Sequence, residues 1–362
     1  MESLPKYEIP WWSTSFDNGE ERAVSMAVKN KKISQGAITE EFEKKVSEYL
    51  EVPHVVAVTS GSSALLLSLL AIGVKAGDEV IVPNRTWIAT AHAVSLLGAT
   101  PIFVDTESGM QIMNLEKIAS KITTKTKAII PVYMNGHEID IKKLKLILDG
   151  KNIKIIEDAA QALGSKDKIG KYLGTQGDIG CFSLSVAKII STGQGGFVVT
   201  KDEEIAFKLR NMRTHGVENT ISVDSWKMLG FNFRFTDILA SIGIVQMGLL
   251  EKRISRLKEI QRQYSEGLQN VPGVKMINNI ENEIGPYIEI LTPSRKELMD
   301  KLRRNQIESR AFYPDLNTSP YWRVSGDFKN SIRFSNEGLY LPSGPSLTDT
   351  QIEVVLEQFS NV

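Results

Sequence analysis

Residues 54–83 read HVVAVTSGSSALLLSLLAIGVKAGDEVIVP, and this stretch decides the fold class. A short β-rich run passes through small and hydroxylated residues into an apolar helical run, turns at glycine, and enters a second β-rich run. Strand, helix and strand in succession are the signature of an α/β layer with a mainly parallel sheet. Both runs are apolar along their length rather than alternating, as expected when helices cover both faces of the sheet.

Working outward, the same alternation continues to about residue 200. Strands are expected at 54–58, 79–82, 101–104, 128–132, 153–156, 180–184 and 196–200. Helices are expected to begin near Ser62, Ile88, Asn114, Asp140 and Asp202, several with Ser, Asn or Asp as an entry cap. Residues 236–270 carry apolar residues at helical spacing, with charge rising toward the end, which predicts a long helix or a helix pair leaving the main domain. The boundary is placed inside it: a large domain at 1–245, including an N-terminal arm, and a small α+β domain at 246–362. The small domain is expected to hold a strand at 287–291 and helices at 294–305 and 348–359.

Of the 362 residues 42% are hydrophobic and 24% charged, enough to bury a sizeable core. Lys plus Arg and Asp plus Glu number 43 each, so no net field draws the chain to nucleic acid or to an anionic membrane. The single Cys181 excludes an intramolecular disulfide and a Cys-rich zinc site, which suits a reducing cytosol. The opening MESLPKYEIPWWSTSF lacks the basic and apolar regions of a signal peptide, and the longest apolar runs fall short of a membrane span. A cytoplasmic protein is expected.

The densest polar and glycine signal runs over 157–196, beginning at the end of a buried strand, where open α/β sheets place their ligands. Asp158 stands at that point. A carboxylate there can hold a protonated heterocyclic nitrogen, bind a metal or cap the next helix. Lys188 lies in the apolar stretch SVAKIIS, where burial lowers an amine's pKa toward that of a nucleophile able to form a Schiff base; a stem packed on the core with its head in water is the alternative. Thr59, Ser60, Gly61, Ser62 and Ser63 separate a strand from a helix, a phosphate cradle of free N–H groups at the positive helix end. The cluster is neither a Walker loop nor GxGxxG, so a nicotinamide cofactor is not expected. Trp87, just past a strand, is placed to lay its indole over a planar ring. His54, His92, His137 and His215 are scattered singly, so no metal site is expected, and no GxSxG elbow supports hydrolase chemistry.

The stretches at 58–105, 155–165 (IIEDAAQALGS), 177–200 (GDIGCFSLSVAKIISTGQGGFVVT) and 230–246 (GFNFRFTDILASIGIVQ) closely resemble the DegT/DnrJ/EryC1/StrS family of sugar aminotransferases, in order from about residue 10 onward. The resemblance implies the three-layer α/β/α fold type I of aspartate aminotransferase: a seven-stranded, mostly parallel sheet, a small C-terminal domain, and a homodimer with active sites shared between subunits. It implies pyridoxal 5'-phosphate as cofactor, with Lys188 as its covalent holder, Asp158 on the pyridinium nitrogen, Gln161 on the phenolic oxygen and Trp87 stacked on the ring. Gly61, Ser62 and Ser183 correspond to phosphate-binding positions. Asn232 corresponds to a residue reaching the other subunit's cofactor phosphate, and Arg234 to one near the sugar nucleotide. Arg310 and Tyr313, in SRAFYP, are candidates to line the acceptor side.

The implied reaction moves an amino group from L-glutamate to a keto group of a nucleotide-linked sugar, at C4 of a 4-keto-6-deoxyhexose or at C3 of a 3-keto isomer. Such products serve amino-sugar and surface-polysaccharide biosynthesis, including lipopolysaccharide O-antigen. Two alternatives are a sugar 3-dehydratase, which bears His at the lysine position, and a non-catalytic regulatory relative. Lys188 argues against the first, and the intact set Lys188, Asp158, Gln161 and Ser183 against the second. The chain departs from the family wording at Gln194, Leu184 and Tyr133, which concern substrate fit rather than the reaction. The pair Asn84-Arg85 also departs from it, and nothing in the sequence explains that pair.

Overall fold

The structure, a computed structural model, describes residues 7–16, 18–218, 222–223, 225–226 and 228–359. Seven strands form the main sheet: β1 (His54–Val58), β2 (Glu79–Pro83), β3 (Thr100–Val104), β4 (Thr126–Ile129), β5 (Lys154–Asp158), β6 (Ile179–Ser183) and β7 (Gly196–Thr200). Their order is β1-β7-β6-β5-β4-β2-β3. All pairings from β6 to β3 are parallel, whereas β7 runs antiparallel to both neighbours. The exception has a simple cause. No helix intervenes between β6 and β7, so the chain lacks the crossover that a parallel return requires. The helix-free connection is the segment that carries Lys188.

Along the large sheet lie α1 (Glu20–Lys29), α2 (Ala37–Leu50), α3 (Gly61–Ala71), α4 (Ala89–Leu96), α5 (Ile141–Ile147), α6 (Glu203–Arg213) and α7 (Asp237–Gly248). Alternate strand residues point to opposite faces. Ala57, Ile81, Ile155 and Phe197 join one core; Val56, Val58, Val82, Ile156 and Val198 join the other. This is the three-layer α/β/α arrangement. Helix α3 is apolar around nearly its whole circumference and is buried between α4, α6 and the sheet, as such a helix must be.

The expected elements appear with two instructive differences. The helix expected after Asn114 is a pair of 3₁₀ turns, Leu115–Lys117 and Ala119–Lys121. Buried Leu115 and Ile118 lie three apart, the 3₁₀ repeat, and β4 begins too soon afterward for an α-helix to propagate. The strand expected at 128–132 runs instead from Thr126 to Ile129, because Pro131 has no N–H to give the ladder; Val132 pairs only as an isolated bridge with Asp158.

The stretch 236–270 resolves into a pair, apolar α7 and amphipathic α8 (Leu250–Leu268), joined at Leu249. Beyond it a four-stranded antiparallel sheet, ordered β10-β11-β9-β8, is built from β8 (Lys275–Ile277), β9 (Ile288–Leu291), β10 (Arg310–Ala311) and β11 (Gly338–Leu341). It is accompanied by α9 (Arg295–Arg304), α10 (Lys329–Glu337) and α11 (Asp349–Glu357). The start of the chain crosses onto this sheet's side: Ile9 bridges to Ile307, Trp12 to Ser343, and Trp11 stacks on Tyr287 with ring centroids 5.1 Å apart. No helix among the described residues is long and apolar enough to cross a membrane.

Helix α2 has no cap of its own at Gly36. Its free N–H groups are met from α7 instead: buried Asp237 accepts from Gly36 N and Thr39 N, each at 2.9 Å, and from Thr39 Oγ1 at 2.8 Å. Replacing Asp237 by Ala strands these donors in the interior, and is expected to cost about 2–3 kcal/mol. A lower urea midpoint at unchanged slope is the measurement that checks it.

Candidate active site

At the carboxyl end of the parallel strands lies a cavity of about 630 Å³, walled on one side by the large sheet and on the other by the C-terminal sheet. Asp158, the last residue of β5, lies at its floor and is 4% exposed. Two donors fix its carboxylate. Thr90 Oγ1, on the first turn of α4, donates to Oδ2 at 2.8 Å, and the Ala160 N–H donates to Oδ1 at 3.2 Å. Burial nevertheless pushes the Asp158 carboxyl above its ordinary value, against the opposing pull of these bonds and of the Lys188 charge.

Lys188 lines the same cavity from the β6–β7 connection. That connection is strapped in place at several points. Leu184 O accepts from Thr192 N at 3.0 Å, Tyr287 OH donates to Ala187 O at 2.7 Å, and Arg253 Nη1 donates to Ile189 O at 3.0 Å. Among the described residues the Lys188 amine has no hydrogen-bond or ion-pair partner, although Asp158 acts on it through space. Burial lowers its pKa to about 8, with Asp158 opposing the fall. An amine so placed is neutral in a far larger fraction near physiological pH than an ordinary lysine, and the neutral form is the one that attacks a carbonyl.

The glycine and hydroxyl cluster lies above the cavity at the start of α3. Ser60 caps the helix, accepting from Ser63 N at 3.0 Å, which leaves the first N–H groups, of Gly61 and Ser62, without a carbonyl one turn behind them. Gly61 is required by closeness: a Cβ there would lie 2.9 Å from the Cβ of Ser183, on the neighbouring wall. Ser60, Gly61, Ser62 and Ser183 therefore converge on one small polar concavity, an anion site by geometry and helix polarity.

Gln161 is held by a bond from Asn135 N to its side-chain oxygen at 2.8 Å, which leaves its NH₂ as the group available to the cavity. Trp87 is 56% exposed and meets Tyr313 edge-on, 5.2 Å between centroids at 68°. Arg310 and Tyr313 also line the cavity; Arg310 binds Glu308 at 2.9 Å and sits 4.3 Å over the Trp11 ring. Burial raises the Tyr313 hydroxyl to about 12.

Asn232 and Arg234 are not brought to this cavity. Asn232 is exposed and accepts from Arg234 Nε at 3.0 Å, while Arg234 bridges to Val58. Among the departures from the family wording, Gln194 lines the cavity, Leu184 is buried beneath the Lys188 loop, and Tyr133 is buried with its hydroxyl on Glu157.

Sequence reasoning missed Thr90, Trp11, Tyr287 and Tyr340, all on the cavity wall. Thr90 had a usable signal, one turn into a helix that begins beside a strand end. The three aromatics had none, since their approach depends on the N-terminal segment crossing to the second sheet.

The DegT/DnrJ/EryC1/StrS aminotransferase family model matches residues 15–360. This chain belongs to that family. It is 35% identical to the GDP-perosamine synthase of Escherichia coli O157:H7 over 97% of this chain and 98% of that protein. It is 31% identical to the dTDP-3-amino-3,4,6-trideoxy-alpha-D-glucose transaminase of Streptomyces venezuelae, over 89% of this chain and 86% of that one. In structure it matches DesV of S. venezuelae, solved with a ketimine intermediate, with a TM-score of 0.90 and 29% identity over 97% of each chain.

The depressed pKa of Lys188 predicts its labelling behaviour. In cofactor-free protein, modification of Lys188 by an amine-reactive reagent should rise with pH through a midpoint near 8, whereas exposed lysines should show a midpoint near their ordinary 10.5. Asp158→Asn removes the charge that opposes the fall, so the midpoint should move lower. Peptide mapping of the labelled protein across pH measures both.

Proposed function

We propose that the protein aminates the 4-keto group of GDP-4-keto-6-deoxy-D-mannose, with L-glutamate as donor, giving GDP-perosamine in the cytoplasm for surface-polysaccharide synthesis. The observation that carries the reaction is the buried amine of Lys188 facing the same cavity as the buried Asp158 carboxylate. The choice of sugar is supported by the 35% identity to a GDP-perosamine synthase across almost the whole of both chains.

The cavity fits pyridoxal phosphate on its own features: an amine without a hydrogen-bond partner among the described residues, a buried carboxylate, and a serine–glycine concavity that a Cβ on Gly61 would crowd. When bound, the cofactor supplies an electron sink for the carbon that loses its proton. Lys188 would hold it covalently, and Asp158 would accept from the protonated ring nitrogen. The Gln161 NH₂ would donate to the phenolic oxygen, Trp87 would cover the ring, and the Gly61 and Ser62 N–H groups with Ser183 would hold the phosphate.

The work of the protein in each half of the reaction is proton movement at Lys188 Nζ. With its amine free, Lys188 Nζ would act as the general base that takes the proton from the donor carbon, and would hold that proton for return. With the keto sugar the same Nζ would give the proton back. Asp158, its carboxylate fixed by Thr90 and the Ala160 N–H, would hold a protonated ring nitrogen in its charged form. The dehydratase alternative is not favoured, since Lys188 occupies the position that it would fill with His.

Asn232 and Arg234 belong, on this reading, to a neighbouring cavity in a homodimer. Their separation from the cavity of their own chain supports it, as does the exposed apolar run of Trp226, Leu229 and Phe231 leading up to them.

The test is a visible cofactor band. Glutamate alone should discharge it, and GDP-4-keto-6-deoxy-D-mannose should restore it with formation of an amino sugar. Lys188→Ala should bind cofactor without responding, with a loss of turnover of at least a thousandfold. A panel of dTDP- and UDP-linked keto sugars should be poorer acceptors. A wild type that ignores glutamate contradicts the transaminase reading, and one that prefers a dTDP sugar contradicts the choice of acceptor.

A further inference from the structure

Arg85, the residue for which the sequence offered no account, has the largest side chain among those fully buried here, and it is 1% exposed. Its guanidinium is planar and forked, and every bond it makes leaves the large sheet. Nε donates to Gln111 Oε1 at 3.0 Å; Nη1 donates to Asp315 and, at 3.2 Å, to Ser331 O; Nη2 donates to Tyr313 O at 2.7 Å. Gln111 passes the contact on to Glu289 of β9 at 2.8 Å. The neighbouring Asn84 repeats the pattern with a carboxamide pair: Nδ2 donates to Asn317 Oδ1 and Oδ1 accepts from Asn317 N, both at 2.9 Å.

These contacts bear on the cavity from one side. Trp87 follows Arg85 by two residues and forms part of the wall contributed by the large sheet. Tyr313, whose carbonyl Arg85 holds, forms the facing wall with Tyr287, Arg310 and Tyr340. None of Arg85's bonds reaches Lys188, Asp158 or the Gly61–Ser183 concavity. Arg85 thus fixes the Tyr313 wall against the Trp87 wall and leaves the proton-transfer groups untouched.

Resting on the aminotransferase reading above, we propose that Arg85 is a positioning residue for the acceptor: by holding the Tyr313 backbone it sets the width of the opening through which the keto-sugar nucleotide is bound. Lysine in its place keeps the charge for Asp315 but cannot form the fork, and so loses the Tyr313 carbonyl and Gln111 together. Asp315 remains paired, which protects the fold from a buried lone charge.

The experiment uses cofactor-loaded enzyme, L-glutamate, and GDP-4-keto-6-deoxy-D-mannose as acceptor, with GDP-perosamine titrated calorimetrically as a binding probe. Arg85→Lys should discharge the cofactor band with glutamate at a rate within about twofold of wild type. Its KM for the acceptor and its Kd for GDP-perosamine should rise roughly tenfold, with kcat little changed. In a Tyr313→Ala background the same substitution should add no more than about twofold, because the two residues act as one unit. The neutral pair Arg85→Gln with Asp315→Asn should show the same split, and it decides the matter if Arg85→Lys does not fold. A folded Arg85 variant with wild-type KM, equal slowing of both half-reactions, or losses that multiply fully with Tyr313→Ala would each overturn the proposal. A wild type that accepts glutamate but not this sugar overturns the acceptor reading on which it rests.

Discussion

The desolvation shared by Lys188 and Asp158 is the constraint on which the site depends. Burial pushes the amine toward its neutral form and the carboxyl toward its neutral form, and each charge is the other's compensation. Neither group is held by a tight ion pair, which would lock the amine in its charged state and end its use as a nucleophile or base. The structure keeps the balance by holding the carboxylate with Thr90 and the Ala160 N–H, and by strapping the backbone on either side of Lys188 while leaving the amine free of hydrogen bonds.

That balance follows from the sheet. Asp158 ends β5, Ser183 ends the adjacent β6, and the turn back into antiparallel β7 puts Lys188 over the same strand ends. A helix between β6 and β7 would have carried the lysine to a face of the sheet. Helix α3 adds its unpaired N–H groups to the same rim. The second sheet then closes the cavity with aromatic residues, and the buried hydrogen bonds of Asn84 and Arg85 fix how closely it approaches.

Much of this was legible in the sequence, for reasons that differ by element. Strands β1 and β7 were read to the residue because their apolar runs end abruptly at Gly, Ser or charge, and the layered fold followed from the alternation. The lysine, the carboxylate and the glycine–serine cluster stood out because polar or glycine residues interrupt apolar surroundings. The two-residue strand β10 has no pattern to read, and the 3₁₀ turns after Asn114 use an apolar spacing that an α-helix also shows. Asn84 and Arg85 were visible as unusual, but apart from Gln111 their side-chain partners lie more than two hundred residues away. Only tertiary contact explains them.

The central claim is that the Lys188 amine itself bonds to the cofactor. Reduction of the pyridoxal-phosphate-loaded protein with borohydride, followed by peptide mass mapping, tests it most directly. The account predicts the reduced cofactor's mass on the peptide containing Lys188 and on no other lysine. Cofactor mass on a different lysine, or cofactor released intact after reduction, would contradict it.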